Sequence, residues 1–224
     1  MTIEIEIWSD IACPWCYLGK RRLEEAIAAS GEDVDVRYRS FQLAPDVPRG
    51  ERTPHAEALA AKFGTTPERV REANQRLIDL GAEAGIAYDF DRYMAANTRD
   101  AHRLLHLAHE RGIGPQMKER LLRGQMEEGA LVDDVDTLVA FGVELGLSED
   151  EVRSVLESDA YDDAVEADLA QAAAYGASGV PFFVFDRAFA VSGAQPVETF
   201  ELALRKAREA RDAAAAAPEA QPAV

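Results

Sequence analysis

The chain has 224 residues, with 24 Lys or Arg against 41 Asp or Glu, and a formal net charge of −17. That balance excludes partners that need basic patches, nucleic acid and anionic membrane surfaces among them. At 47% hydrophobic and 8% aromatic, the composition fills one large domain, or one domain carrying a sizeable insertion, and leaves the acidic residues as solvated surface.

Met1 leads directly into an alternating run, Ile3, Ile5 and Ile7 against Glu4 and Glu6, the pattern of a half-buried first strand ending near Trp8. There is no basic, apolar leader and no apolar run long enough to cross a membrane. The expected location is cytoplasmic, where a cysteine pair is catalytic or redox-sensing more often than structural.

The strand is followed by Cys13-Pro14-Trp15-Cys16, the chain's two cysteines, opening a helix through Tyr17, Leu18, Leu23, Ala26 and Ile27. At a helix N-terminus the first thiol meets free backbone N–H groups and the positive end of the dipole, which favours its thiolate. The second thiol is one turn further in, within reach of a disulfide. A C-x-x-C joining strand to helix in an intracellular chain reads as a thioredoxin-like redox site. Structural zinc wants four ligands, and no second C-x-x-C completes such a set. We therefore expect Cys13 to be the accessible, low-pKa thiol and Cys16 the buried one. Asp10, three residues before Cys13, is a candidate either for helix cap or for proton relay.

Gly31 closes the first helix, and Val34, Val36, Tyr38 and Ser40 alternate with Asp35, Arg37 and Arg39 as a second strand. A loop with Pro45, Pro48, Gly50 and Pro54 follows, and from there to Gly176 every segment reads as helix. His55 to Phe63 is short and Ala-rich. Thr66 and Pro67 are an N-cap and first position, ahead of a stripe of Val70, Ala73, Leu77, Leu80 and Ala84. Asn97-Thr98-Arg99-Asp100 starts a helix with core positions Ala101, Leu104, Leu105 and Ala108. His102, His106 and His109 share one flank of it, either a three-histidine metal site or the polar side of an amphipathic helix. Two helices follow, about 115–127 and 134–145. Ser148 to Glu151 is a capping box, and a last helix buries Val165, Leu169, Ala172 and Ala173. Tyr161 and Tyr175 read as packing residues.

The strand pattern returns at Gly179-Val180-Pro181, ahead of the apolar run Phe182 to Phe185. A turn at Asp186-Arg187 leads to Phe189-Ala190-Val191, then a helix with Phe200, Ala203 and Leu204 inward. From Ala210 to Val224 no apolar face is left, the composition of a disordered tail. The expected division is 1–48 with 177–209, a helical insertion over 49–176, and a tail over 210–224.

β-α-β with C-x-x-C, a helical block, then Pro-β-β-α resembles an α/β thioredoxin fold with a large all-helical domain inserted between the second strand and the proline strand. That is the architecture of the DsbA-like oxidoreductases. Trp8-Ser9-Asp10, Cys13-Pro14-Trp15-Cys16-Tyr17, Gly19-Lys20-Arg21-Arg22, Arg39-Ser40-Phe41, Asn97-Thr98 with Ala101-His102-Arg103, Gly179 to Phe183 and Val191 to Gln195 are similar to its FrnE-like cytoplasmic branch. The resemblance implies a cis Val180-Pro181 bond against the disulfide, with the Val180 backbone free to pair with an extended substrate. It departs from the family pattern at Ile7, where thioredoxin and DsbA carry a buried acid.

The implied function is thiol-disulfide exchange through a mixed disulfide at Cys13, resolved by Cys16, with Pro181 completing the catalytic set. Pro14, Trp15, Val180, Asn97 and His102 contact substrate in this reading, and the insertion supplies substrate choice. The expected substrate is a peptide, protein or small molecule carrying a disulfide or thiol, and the chain a monomer or homodimer. No cofactor is needed beyond the thiols, with glutathione open as a co-substrate. Two alternatives stand: a glutathione-linked transferase or isomerase of the kappa-class or 2-hydroxychromene-2-carboxylate type, and a non-catalytic peptide-binding or chaperone module.

Overall fold

The computed structural model describes residues 2–216. Four strands, β1 (Ile3–Ser9), β2 (Val34–Ser40), β3 (Phe182–Phe185) and β4 (Phe189–Ser192), form one sheet in the order β2-β1-β3-β4. β1 pairs parallel with β2, Ile3 opposite Val34, and antiparallel with β3, Ile7 opposite Phe183. β3 and β4 form an antiparallel hairpin. Asp186 and Arg187 take its turn at positive φ, 49° and 54°, the pattern of a tight hairpin.

Helix α1 (Pro14–Ser30) links β1 to β2, and α9 (Val197–Ala216) packs beside it. Between β2 and β3 lie α2 (His55–Phe63), α3 (Pro67–Glu83), α4 (Arg99–Glu110), α5 (Gly114–Met126), α6 (Val135–Glu144), α7 (Glu149–Leu156) and α8 (Asp162–Ala174). The insertion expected from the sequence is therefore present, its regular elements are all helices apart from one isolated bridge between Pro54 and Met94, and the chain has the thioredoxin-like fold.

Strand β1 sits at the centre, covered on both faces. Ile3, Ile5 and Ile7 join Leu23 and Ala26 of α1 and Phe200 and Leu204 of α9 in the main core. Trp8 packs on the other face with Phe182, Val184 and Ala172 of α8. Half-burial was the expectation from the alternating glutamates, and Glu6 departs from it. Glu6 is buried, its carboxylate held by Arg39 Nε at 2.9 Å. Past the exposed Glu4 the strand is paired on both edges and covered on both faces, so the Glu6 charge takes a partner instead.

The helix patterns are corrected in the same sense. On α3 the buried stripe is Val70, Asn74, Leu77 and Gly81, with Ala73 exposed. Gly81 is there because a Cβ would meet the Tyr88 ring at 2.5 Å. On α8, Asp168 takes the core position expected for an apolar residue and Ala173 is exposed. The Asp168 carboxylate accepts from Ser40 N at 2.8 Å and lies 3.1 Å from Arg39 and 3.2 Å from His106. It ties α8 to β2 and α4. Thr66 caps α3 by accepting from Arg69 N, as expected. Ser148 makes no side-chain cap on α7, and Glu151 pairs with Arg111 instead of closing a capping box.

Residues 210–216, expected as part of a disordered tail, continue α9. Alanine is the strongest helix former, and Arg211 binds the Asp186 carboxylate and the Thr2 carbonyl. Residues 217–224 of that expectation lie outside the described residues.

Candidate active site

The β1–α1 turn places both thiols. Cys13 is the N-cap of α1, extended at φ −107° and ψ 107°, with no side chain capping the helix. Its carbonyl accepts from Cys16 N at 2.9 Å, and its own N–H reaches Asp10 O at 3.3 Å. Pro14 opens the helix and is half-buried, and Trp15 is 39% exposed. Cys13 and Cys16 are free thiols, 4% and 2% exposed.

Cys13 was expected to be accessible with a depressed pKa. Instead its hydrogen bond with Cys16, and then burial, push the thiol well above its ordinary value, and the Asp10 charge adds to this. In the reduced pair the Cys16 hydrogen bond and the desolvation of a buried sulfur together outweigh the helix N-terminus.

Val180-Pro181 is cis. The Cys13 Sγ–H donates to the Val180 carbonyl at 3.6 Å, so this backbone lies directly across the first thiol. Pro181 is buried and its carbonyl accepts from Gly193 N at 2.8 Å. Gly19 lets α1 approach it: a Cβ there would stand 3.0 Å from Pro181 Cγ and 3.2 Å from Phe183.

Asp10 does not cap α1. Its Oδ2 accepts from Leu43 N at 2.7 Å, and its Oδ1 faces Ala12 N and His102 Nε2, each at 3.3 Å. Burial raises this carboxyl, but the hydrogen bonds from His102 and the Leu43 N–H overcome it and leave it below the usual range. His102 is fully buried, its Nε2 also 2.9 Å from the Phe41 carbonyl, while Nδ1 finds no partner. With two acceptors at Nε2, the assignment is a neutral Nε2–H imidazole. Burial, which pushes His102 below its ordinary value, agrees.

The three histidines of α4 therefore do not form a polar flank. Helix α4 is the hub of the insertion, packed against α5, α6, α7 and α8, and Asp100 through Ala108 are all buried. His106 turns to Ser40 Oγ at 3.1 Å and to Asp168. Among the described residues no group of three His, Cys, Asp or Glu side chains could hold a metal ion. Asn97 reaches the loop after β2, donating to Val47 O at 2.7 Å and accepting from Arg99 N at 3.0 Å. Tyr161 donates to Glu110, and Tyr175, 38% exposed, stands edge-on to Trp8 at 5.4 Å.

Three site residues escape sequence reasoning. Tyr93 donates to the Ala12 carbonyl at 2.7 Å and Tyr88 to the Pro14 carbonyl at 2.6 Å, so two insertion hydroxyls bracket Cys13. Lys118, fully buried on α5, donates to Ser9 O at 3.2 Å. Aromatic residues and a lone lysine in a helical block carry no local signal of this placement.

With a buried dithiol at a helix start and a cis-proline backbone across it, the comparisons agree on lineage. The model of the DSBA-like thioredoxin domain matches residues 4–205. The chain belongs to that family. A crystal structure of a probable DsbA oxidoreductase from Streptomyces coelicolor is 42% identical, covers 99% of this chain and 93% of its own, and superposes with a TM-score of 0.88. An uncharacterized protein, YwbO, from Bacillus subtilis is 27% identical over 206 residues, 91% of this chain and 96% of that protein. The cytosolic disulfide reductase DsbM from Pseudomonas aeruginosa shares the fold at 17% identity, with 92% and 99% coverage and a TM-score of 0.62, and has also been solved with GSH. Among the described residues no helix is long and apolar enough to cross a membrane.

Proposed function

We propose that this family member is a dithiol-disulfide oxidoreductase in which Cys13 forms the mixed disulfide and Cys16 resolves it. The observation that carries this reading is the Cys13 Sγ at 3.6 Å from the Val180 carbonyl, with a second thiol one helical turn behind it. An extended substrate that pairs with Val180 takes over the carbonyl now bonded to the thiol, which frees Cys13 to ionise and attack. In the forward step the Cys13 sulfur bonds to one substrate sulfur and the other leaves as thiolate. Cys16 then attacks Cys13, the second substrate sulfur departs, and the enzyme is left oxidised by two electrons.

In this proposal Pro14 and Trp15 frame the substrate beside the thiols, and the insertion selects it. Asp10, ionised and hydrogen-bonded to His102, serves as a relay for protons leaving the pair, while Asn97 acts at a distance by fixing the loop beside them. The two thiols are the only redox group required, the site is cytoplasmic, and glutathione is open as a co-substrate. Two thiols rather than one favour exchange over a glutathione-dependent isomerase or transferase, and the Cys13–Val180 contact favours it over a passive peptide-binding module.

The test is to mix a Cys16→Ser variant with a peptide disulfide and with oxidised glutathione, then map adducts by mass spectrometry. A stable adduct on Cys13 is expected. A wild-type protein that cycles neither disulfide, with no adduct in the variant, overturns the reading.

A further inference from the structure

Among the buried charges that the mechanism above leaves unused, one stands without an ion pair in the described residues. Lys118 is 0% exposed, and its ammonium has three N–H groups to place. One goes to the Ser9 carbonyl at 3.2 Å, and the Nζ lies 5.9 Å from the centre of the Tyr38 ring. Among the described residues no carboxylate lies within ion-pair reach of it. Lys20, the other buried lysine, shows the ordinary arrangement, with Glu24 and Glu119 both at 2.6 Å. A buried, unpaired ammonium is costly, so what it faces matters.

Helix α5 brings Lys118 in from the insertion to the end of β1, where it bonds Ser9, four residues before Cys13, with the Tyr38 ring of β2 beside it. The next residue on α5, Glu119, accepts from Tyr17, which follows Cys16, and from Lys20, so this stretch of α5 lies along the start of α1. The charges that act on Lys118 are Cys16, Asp10 and Cys13, with Lys20 and, when protonated, His102 of like sign. Burial lowers the amine to about 8, while Cys16, ahead of Asp10 and Cys13, draws it back up and Lys20 opposes. It therefore stays largely cationic near neutral pH. On β1 the residue six before Cys13 is Ile7, which has no charge to offer.

We propose that the Lys118 ammonium is the counter-charge that stabilises a thiolate on Cys16 during the resolving step, a positioning role that rests on the thiol-exchange reading. Cys16 ionises, its sulfur bonds to Cys13, and the Cys13–substrate S–S bond breaks with its electron pair on the substrate sulfur. The proton lost by Cys16 ends on the departing substrate thiol, so Lys118 is unchanged and no further reagent is consumed. A cation in this place favours the attacking form of the deeper thiol.

The test isolates Cys16 in a Cys13→Ser background and follows thiolate absorbance against pH, with and without Lys118→Met. The expected result is a Cys16 midpoint raised by about one unit or more in the Met variant, about tenfold less thiolate at a given pH below it. An unchanged midpoint in the folded Met variant overturns the proposal. Should that variant not fold, carbon-13 NMR of the four lysines decides, with Lys118 itself intact. The Lys118 titration should move down when Cys16→Ser removes the thiolate, and one that does not move overturns the proposal equally. Failure of the exchange reading looks different: no disulfide turnover by the wild-type protein, with the Cys16 midpoint still dependent on Lys118.

Discussion

His102 Nε2 stands 3.3 Å from Asp10 Oδ1, so a fully buried imidazole of the insertion holds the carboxylate that fixes the turn before Cys13. The same nitrogen bonds the Phe41 carbonyl, and Asp10 also takes Leu43 N. One contact thus joins α4, the β1–α1 turn and the loop after β2.

That contact should be visible as coupling. Asp10→Asn and His102→Ala each leave a buried group unsatisfied and should cost about 1–3 kcal/mol. In a double-mutant cycle by urea unfolding, the pair should be non-additive by about 0.5–3 kcal/mol. Additivity would show that the two residues act separately. Pairing each variant with a pH-rate profile of disulfide turnover tests the proposed relay, which should lose its acidic limb in Asp10→Asn.

The reduced thiols should react slowly. Both are buried, and the Cys13–Cys16 hydrogen bond with burial holds Cys13 well above its ordinary value. Iodoacetamide labelling mapped by mass spectrometry should therefore be slow at neutral pH and climb with pH past the ordinary thiol range. Adding a substrate peptide that displaces Val180 from Cys13 should speed it. Rapid labelling at neutral pH without peptide would contradict the burial argument.

The periodic parts of this fold were legible in the sequence because their signals are local. Alternation gave β2, Thr66-Pro67 gave the start of α3, and the apolar run Phe182 to Phe185 gave β3 at its observed limits. Cys13, Cys16 and the cis Val180-Pro181 bond came from motif and resemblance together. The rest depends on packing between segments far apart in the chain. Nothing near Asp168 in sequence says that it will face Arg39, Ser40 and His106, 129, 128 and 62 positions away. Polar residues in apolar stripes, Asn74, Asp168 and His102 alike, look like surface until their partners are known.

Gly19→Ala tests the approach of α1 to the cis-proline. Alanine gains about 1 kcal/mol of helix propensity over glycine. Crowding against Pro181 and Phe183, both buried, should cost about 1–3 kcal/mol. We expect a net loss in Tm and slower disulfide turnover, because the displaced proline carries Val180 with it. A more stable, fully active variant would show that the ring moves aside freely.

The last turns of α9 should contribute to stability through Arg211. Its guanidinium meets Asp186, whose carboxyl is held low chiefly by Arg211 against burial, and the Thr2 carbonyl. Arg211→Ala should lower Tm slightly, by about 0–1 kcal/mol equivalent for a half-buried pair at the surface. Truncation after residue 209 should cost more than truncation after 216, measured side by side in thermal melts. Equal Tm values would restore the dispensable tail from residue 210.

His55 gives a pH dependence with a defined sign. Its ring is 7% exposed, stacks on Tyr93 at 4.3 Å and Phe90 at 5.5 Å, and leaves Nε2 without a partner. Burial lowers it from the ordinary 6.5 to about 4. Between those values the unfolded chain binds a proton that the folded chain refuses, so unfolding is favoured as pH falls. The stabilisation is complete above about pH 6.5 and drains as pH drops toward about 4, about 2 kcal/mol at most by pH 5. His109, also lowered to about 4, and His102 add to the same slope. His55→Phe keeps the stack and removes the titration. In urea unfolding at pH 5, 6 and 7, the variant should lose less stability toward pH 5 than the wild type. Tyr93 links this stack to the Ala12 carbonyl beside Cys13, so turnover should share the trend. An identical loss in both proteins would mean that His55 takes up its proton without unfolding the pocket.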